Sequence, residues 1–340
     1  MLRKLYFIDS SCDEKVGGNF DRIVRECMRL SDLICRKITN PNDTDFARVY
    51  NVIFKTPKTD KQPFPHSNFY IQQNGPHCRR ERMTSLQHVL RVHLDFAHKW
   101  ERTYCRERAD VRIYCDNGRR WKMTRKKTTF VDPVNHMMMV GDWAALVRGH
   151  GFTVVSTTKA PKGENPNRCT IDICDAAWDN SAFPDYPRTL SELSQMTLPW
   201  RKILNLSKLC NIDDLGNHLI TRVVFHEFMH CSYYLLDDPP EGRPSAGWAA
   251  VMAQKKGKAA ATAESHAYFA LFAGLSEIRP TNQPCGGYGM GRRWDRIRGS
   301  TDHYVSFPGD DGGTKKWDIK HGWNKAVRGE ISFYHDITNA

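Results

Sequence analysis

Apolar residues recur at three- and four-residue intervals through 19–38, NFDRIVRECMRLSDLICRKI, which places Ile23, Val24, Cys27, Leu30, Leu33 and Ile34 along one side of an amphipathic helix. A second helix is expected over 43–54, and a third over TSLQHVLRVHLDFAHKWER at 84–102. Between them, residues 55–83 carry Pro57, Pro63, Pro65, Gly75 and Pro76 and read as a long loop. From 109 to 175 the period shortens to two or to brief apolar runs, in ADVRIYC, RRWKMT, HMMMV, FTVVSTT and CTIDIC, so a small mixed sheet is expected there. Helical spacing returns after 188, including 219–237 and 259–275. The last 60 residues, with CGGYGMGRR and PGDDGG, read as loop-rich. Their GGYGMG lacks the preceding strand and the GK[ST] of a phosphate loop.

These elements define an α+β protein, mainly helical with a small mixed β-sheet. At 40% hydrophobic residues it is rich enough in apolar side chains to bury a core. The longest apolar stretch, MMMVGDWAALV at 137–147, is broken by Asp142 and too short to cross a bilayer, so no membrane span is expected. Eleven cysteines without a CxxC pair point to a disulfide framework and an exported chain, with one thiol left over. The sequons at Asn42 and Asn205 agree with export, but no signal-peptide core is visible in MLRKLYFIDSSC. A net charge of +12 attracts acidic partners in general. The basic runs CRRER and RRWKMTRKK are read as solvated surface, because no nucleic-acid-binding motif accompanies them.

The chemistry concentrates in LITRVVFHEFMHCSYYLLDD, 219–238. On a helix, residues four apart lie about 40° apart around the axis and about 6 Å along it, so His226 and His230 can bind one zinc ion. Glu227, one step round, is placed to act as a general base rather than as a ligand. With 14 histidines in the chain, HExxH arises by chance on the order of a few hundredths of a time per sequence. The extension HExxHxxGxxH is absent, since Tyr233 and Leu236 stand where its Gly and third His would be. A third ligand must come from elsewhere. Glu264, an acid in the apolar helical segment ATAESHAYFALFA, is the first choice because a carboxylate on a buried helix face needs a cation or a donor. Asp302 in GSTDHY is the runner-up, and His266 lies on another face of the Glu264 helix. Asp237 and Asp238 rank lower because they are expected to end the HExxH helix. Tyr233, Tyr234 and Tyr268 are candidate oxyanion donors.

VVFHEFMHCSYYLLDD, the downstream AESHAYFA and, more loosely, FIDSSC and DFARVYNVIFKTPKTD resemble the fungal secreted metalloendopeptidases of the deuterolysin and peptidyl-Lys type, in their divergent, zincin-like branch. The resemblance implies a zincin-like domain over 1–280, with 281–340 as an extension. It further implies one Zn2+ per chain on His226 and His230, Glu227 as general base, and Glu264 where deuterolysins have aspartate. The deuterolysin signature GTxDxxYG is matched only in part by GSTDHYVS. The activity expected is hydrolysis of protein or peptide substrates by zinc-activated water in a secreted, monomeric enzyme, with CTIDIC as an edge strand along the cleft. The alternative is a secreted zinc-binding or host-interaction protein without turnover.

Overall fold

The computed structural model describes residues 3–56, 59, 84–143, 148–155, 162–165, 168–179, 188–195, 216, 219–231, 236–238, 247–277, 294–296, 303–308 and 314–318. The chain begins with strand β1, Lys4–Ile8, and helix α1, Ser10–Lys15. Three longer helices follow: α2 (Asp21–Thr39), α3 (Thr44–Phe54) and α4 (Ser85–Lys99). The starts of α3 and α4 are set locally. The Asp43 side chain accepts from the Phe46 amide at 2.9 Å, and Thr84 and Gln87 form a reciprocal capping box. Then come β2 (Trp100–Arg102), β3 (Val111–Tyr114), the short α5 (Asn117–Arg120), β4 (Lys122–Met123), β5 (Thr129–Asp132), β6 (Met137–Val140), β7 (Gly151–Val155) and β8 (Cys169–Ile173). Helices α6 (Leu190–Gln195), α7 (Ile220–His230), α8 (Gly247–Ala253) and α9 (Ala263–Glu277) complete the part that carries the site.

Five strands form one mixed sheet in the order β2-β1-β3-β8-β7. The first four run parallel, and β7 lies antiparallel at the edge. Residues Val111, Ile113, Cys169, Ile171 and Ile173 turn toward the main helical core. Phe228 of α7 anchors that side, with its ring centroid 4.9 Å from Phe96, 5.7 Å from Trp100 and 6.4 Å from Tyr6. The alternate residues of β3 and β8 are also buried, but among polar groups. Arg112 and Tyr114 both reach Asn135 Oδ1 at 2.9 Å, and Arg120 pairs with Asp132 and Asp172. That polar layer is covered by a second, antiparallel sheet, β4-β5-β6.

Two expectations change here. CTIDIC is an interior strand buried along its whole length; the edge belongs to Gly151–Val155. The tail, expected to be loop-rich, contains a three-stranded antiparallel sheet of β9 (Trp294–Arg296), β10 (His303–Pro308) and β11 (Thr314–Asp318).

The cysteines depart from the expected framework. Cys12 is joined to Cys115, tying α1 to the end of β3, whereas Cys27, Cys35, Cys105 and Cys231 carry reduced thiols. Burial pushes the Cys35 thiol up to about 12 and Cys27 well above its ordinary value, so both behave as small apolar core residues. Cys78, Cys210 and Cys285 lie outside the described residues.

Gly274 lets α9 pack tightly. A Cβ there would stand 2.5 Å from Leu190 Cδ1 and 3.0 Å from Leu30 Cδ2, both in the core. Gly274→Ala is therefore expected to destabilise the protein by about 1–3 kcal/mol despite its better helix propensity. Urea unfolding measures this, and an unchanged or raised midpoint would contradict the close packing.

Candidate metal centre

Helix α7 is apolar on most sides because it is buried against both the sheet and α9. Its one polar stripe, Arg222, His226 and His230, repeats every four residues and so faces a single direction. The helix stops at His230, seven residues before the expected end at 237. Cys231 is already extended, with φ −61° and ψ 160°, and the chain folds back so that the Leu236 amide donates to the Met229 carbonyl at 3.2 Å. A parallel bridge between Asp237 and Thr262, at the start of α9, fixes the returning segment. Asp238 is delivered by this reversal.

Three donor atoms then converge. His226 Nε2 lies 3.0 Å from His230 Nε2, and Asp238 Oδ1 lies 3.5 Å and 3.3 Å from the two nitrogens. Ligands about 2.05 Å from a tetrahedral zinc are separated by about 3.3 Å, so the observed triangle has the right size. The back of each imidazole is occupied. His230 Nδ1 lies 2.6 Å from the Leu236 carbonyl, and His226 Nδ1 lies 2.8 Å from Glu264 Oε2. The Leu236 carbonyl accepts from His230 Nδ1 and so turns the Nε2 lone pair of that ring into the cluster, while Glu264 stands behind His226 as a buried negative charge, and both favour a cation between the rings. The electrostatics agree. Burial works against charge on His226, but Glu264 and then Asp238 outweigh it and push the imidazole up to about 10. Burial would raise Asp238, yet its hydrogen bonds to His226 and His230 hold it far below the carboxylate range. The Asp238 side chain is 57% exposed, so the cluster opens to solvent on that side.

Glu264, the expected third ligand, is not among the converging atoms. It is fully buried behind His226, paired with the Arg222 guanidinium and accepting from the Gly247 amide. Arg222 and His226 hold its carboxyl down, at about 2, against the upward pull of burial. The positive partners that this buried acid needs are Arg222 and the His226 imidazole. Asp238 takes the third position.

Glu227 leaves the histidine stripe and meets the edge strand. The Thr153 hydroxyl is 2.8 Å from its Oε2 and 3.0 Å from its backbone carbonyl. Gly151 permits the contact, since a Cβ there would come within 3.0 Å of Glu227 Cγ and Oε1. Neither residue was legible as part of the site, although an isolated glycine opening a strand is a known sign of close backbone approach.

The remaining candidates lie elsewhere. His266 is buried, with Nδ1 3.1 Å from His93 Nε2 and Nε2 3.0 Å from the Ala260 carbonyl, so both nitrogens are engaged away from the cluster. Tyr268 is buried with its ring 4.7 Å from the Arg222 guanidinium carbon. Asp302, Tyr233 and Tyr234 lie outside the described residues. No protein-family model, no curated protein and no solved structure matches the chain.

Proposed function

We propose that the protein is a secreted zinc-dependent endopeptidase of zincin-like fold, with His226, His230 and Asp238 holding the ion. The observation that carries the reading is the triangle of donor atoms, 3.0, 3.3 and 3.5 Å on its sides, with Glu227 on the next position of the same helix. Two imidazoles and one carboxylate form a donor set suited to catalytic zinc, and the solvent side at Asp238 leaves room for a further ligand. Zinc, when bound, supplies a Lewis acid that polarises a carbonyl and acidifies water.

The chain's own residues do the rest. Glu227 accepts the proton of the attacking water and returns it to the leaving amine. Thr153 keeps that carboxylate at the edge strand by a single hydrogen bond and leaves it other lone pairs for a proton. The outer edge of β7 can pair with an extended peptide by strand addition, which would bring the scissile bond alongside Glu227. Glu264, 2.8 Å behind His226 Nδ1, supplies a buried negative charge that favours a cation at the cluster. The Cys12–Cys115 disulfide supports an oxidising compartment, and among the described residues no helix is long and apolar enough to cross a membrane.

The test is digestion of an unfolded protein substrate by zinc-loaded protein and by Glu227→Gln, each with and without a chelator, alongside a zinc count on the same samples. Cleavage lost on chelation and reduced about a hundredfold or more in Glu227→Gln, with one zinc retained by the variant, is the expected outcome. A folded protein that binds one zinc and cleaves nothing would replace the peptidase with an inert zinc-binding protein. Asp238→Asn should weaken zinc far more than Asp237→Asn, because only Asp238 faces the two imidazoles.

A further inference from the structure

The sheet β4-β5-β6 has an outer face that nothing among the described residues covers. Cross-strand partners lie on the same side of an antiparallel sheet. The register Lys122↔Val131↔Met138 and Thr129↔Val140 therefore defines one face, and Phe130↔Met139 with Asp132↔Met137 the other. The second face is the inner one, where Phe130 and Met137 pack with Trp121 and Phe152. On the outer face Met138 is 47% exposed and Val140 73%. Met123 pairs with Phe130 and shares the inner side, yet it is 60% exposed, so this end of the hairpin projects past the core and is wet on both sides.

The projecting end is strongly basic. Residues 117–141 hold six Lys or Arg and one acid. That acid, Asp132, is buried and spent on Arg120, while Arg119, Lys122, Arg125, Lys126 and Lys127 are exposed. The turn itself is rigid, because the Thr124 amide donates to the Thr129 carbonyl at 2.9 Å and the Thr129 amide to the Lys126 carbonyl at 2.7 Å. Of the six large hydrophobic residues exposed among the described residues, four (Met123, Val134, Met138 and Val140) fall in this one hairpin sheet.

We propose that this hairpin is a docking surface for an anionic lipid membrane. A projecting tip with apolar side chains on both sides suits insertion among headgroups, where a flat interface can surround it. Each base near an anionic bilayer contributes about a fivefold gain in binding, from roughly 1 kcal/mol apiece. The apolar side chains add a component that salt does not screen. The inference stands apart from the metal centre and does not depend on it.

The experiment is sedimentation of the full chain with vesicles of phosphatidylcholine alone and of phosphatidylcholine mixed with phosphatidylserine, at low and high salt. Four proteins are compared: wild type, Lys126→Glu with Lys127→Glu, Met123→Ser with Val140→Ser, and the charge-matched pair Lys255→Glu with Lys256→Glu placed elsewhere on the surface. The substituted side chains are exposed, so circular dichroism should show all four folded. Expected is binding to the anionic vesicles, weakened tenfold or more by the hairpin charge reversals. The serine pair should weaken it several-fold and leave a residue of binding that high salt abolishes. Three results would overturn the proposal. They are no binding to anionic vesicles, an equal loss from the distant charge pair, and capture by heparin or RNA through the same lysines without vesicle binding.

Discussion

Acidification from about pH 7 to about pH 4 is expected to unfold the protein, chiefly by protonating three buried histidines. His88 and His93 sit on α4 and His266 on α9. The hydrogen bonds run one way. His266 Nε2 donates to the Ala260 carbonyl at 3.0 Å, so its Nδ1 accepts from His93 Nε2 at 3.1 Å, and His93 Nδ1 accepts from the Ser31 hydroxyl at 3.1 Å. Each of these two rings is satisfied only when neutral. Around them lie Phe54, Phe225 and Phe269, with ring centroids 5.3 to 6.2 Å away, which supply no oxygen or nitrogen acceptor for a second ring proton.

Burial, and then mutual repulsion with His266, moves His88 down to about 3. Burial takes His266 to about 4 and His93 well below its ordinary value. In the unfolded chain all three titrate near 6.5. The folded values are the lower ones, so the unfolded chain binds more protons between them. The stabilisation is complete above about pH 6.5 and is lost as pH falls toward the folded values. Each histidine is worth about 1.4 kcal/mol per pH unit inside that window, and three together about 4 kcal/mol per unit, against a total stability of about 5–15 kcal/mol. Unfolding centred near about pH 5 with uptake of up to about three protons follows. The carboxyl of Glu264, held at about 2, loses its contribution only below about 4.5, so the two windows separate. Urea unfolding free energies collected across this range give the proton count directly. A slope of less than about one proton would mean that the three rings are not buried neutral.

The parts of this molecule that could be read from the sequence are those whose pattern is local. Helices α2, α3 and α4 fall within a few residues of their expected bounds because their apolar stripes, and the caps of α3 and α4, need no knowledge of a partner. His226, Glu227 and His230 were legible for the same reason, since helical geometry alone fixes how they point. Strand β1 carries no such local pattern: KLYFI is five residues long, and its meaning lies in parallel pairing with β2 and β3, which are distant in sequence. Trp100–Arg102 continued the helical spacing of α4 and is a strand only because β1 pairs with it. CTIDIC alternates like a strand with one wet face, but Thr170 and Asp172 are both fully buried under the hairpin sheet, with Asp172 paired to Arg120. A buried polar layer imitates an exposed one in sequence. Asp237 and Asp238 are expected at the end of one long HExxH helix, whereas α7 stops at His230. The reversal that brings Asp238 back depends on the bridge to Thr262, a tertiary contact.

The network behind His226 carries the other large effect. Arg222, 7% exposed, and Glu264, 1% exposed, form a charge pair with almost no access to water, and Glu264 also reaches His226 Nδ1. Replacing Arg222 by Met leaves the carboxylate buried with a helix-borne imidazole and the Gly247 amide as its remaining partners. Removing one member of such a pair costs about 3–5 kcal/mol, because the surviving charge has lost what compensated its desolvation. Replacing both with apolar residues of similar size, Arg222→Met with Glu264→Met, should cost less than the single Arg222→Met, since no stranded charge remains. Zinc separates the two roles of Glu264. The double variant can recover stability and still lose the buried negative charge behind His226, so its zinc affinity should stay roughly 10–100-fold weaker than that of the wild type. Urea midpoints and chelator competition on the same three proteins test both halves. An Arg222→Met variant as stable as the wild type would show that Glu264 is not held as a buried charge. A double variant with undiminished zinc affinity would show that the carboxylate behind His226 serves the fold alone.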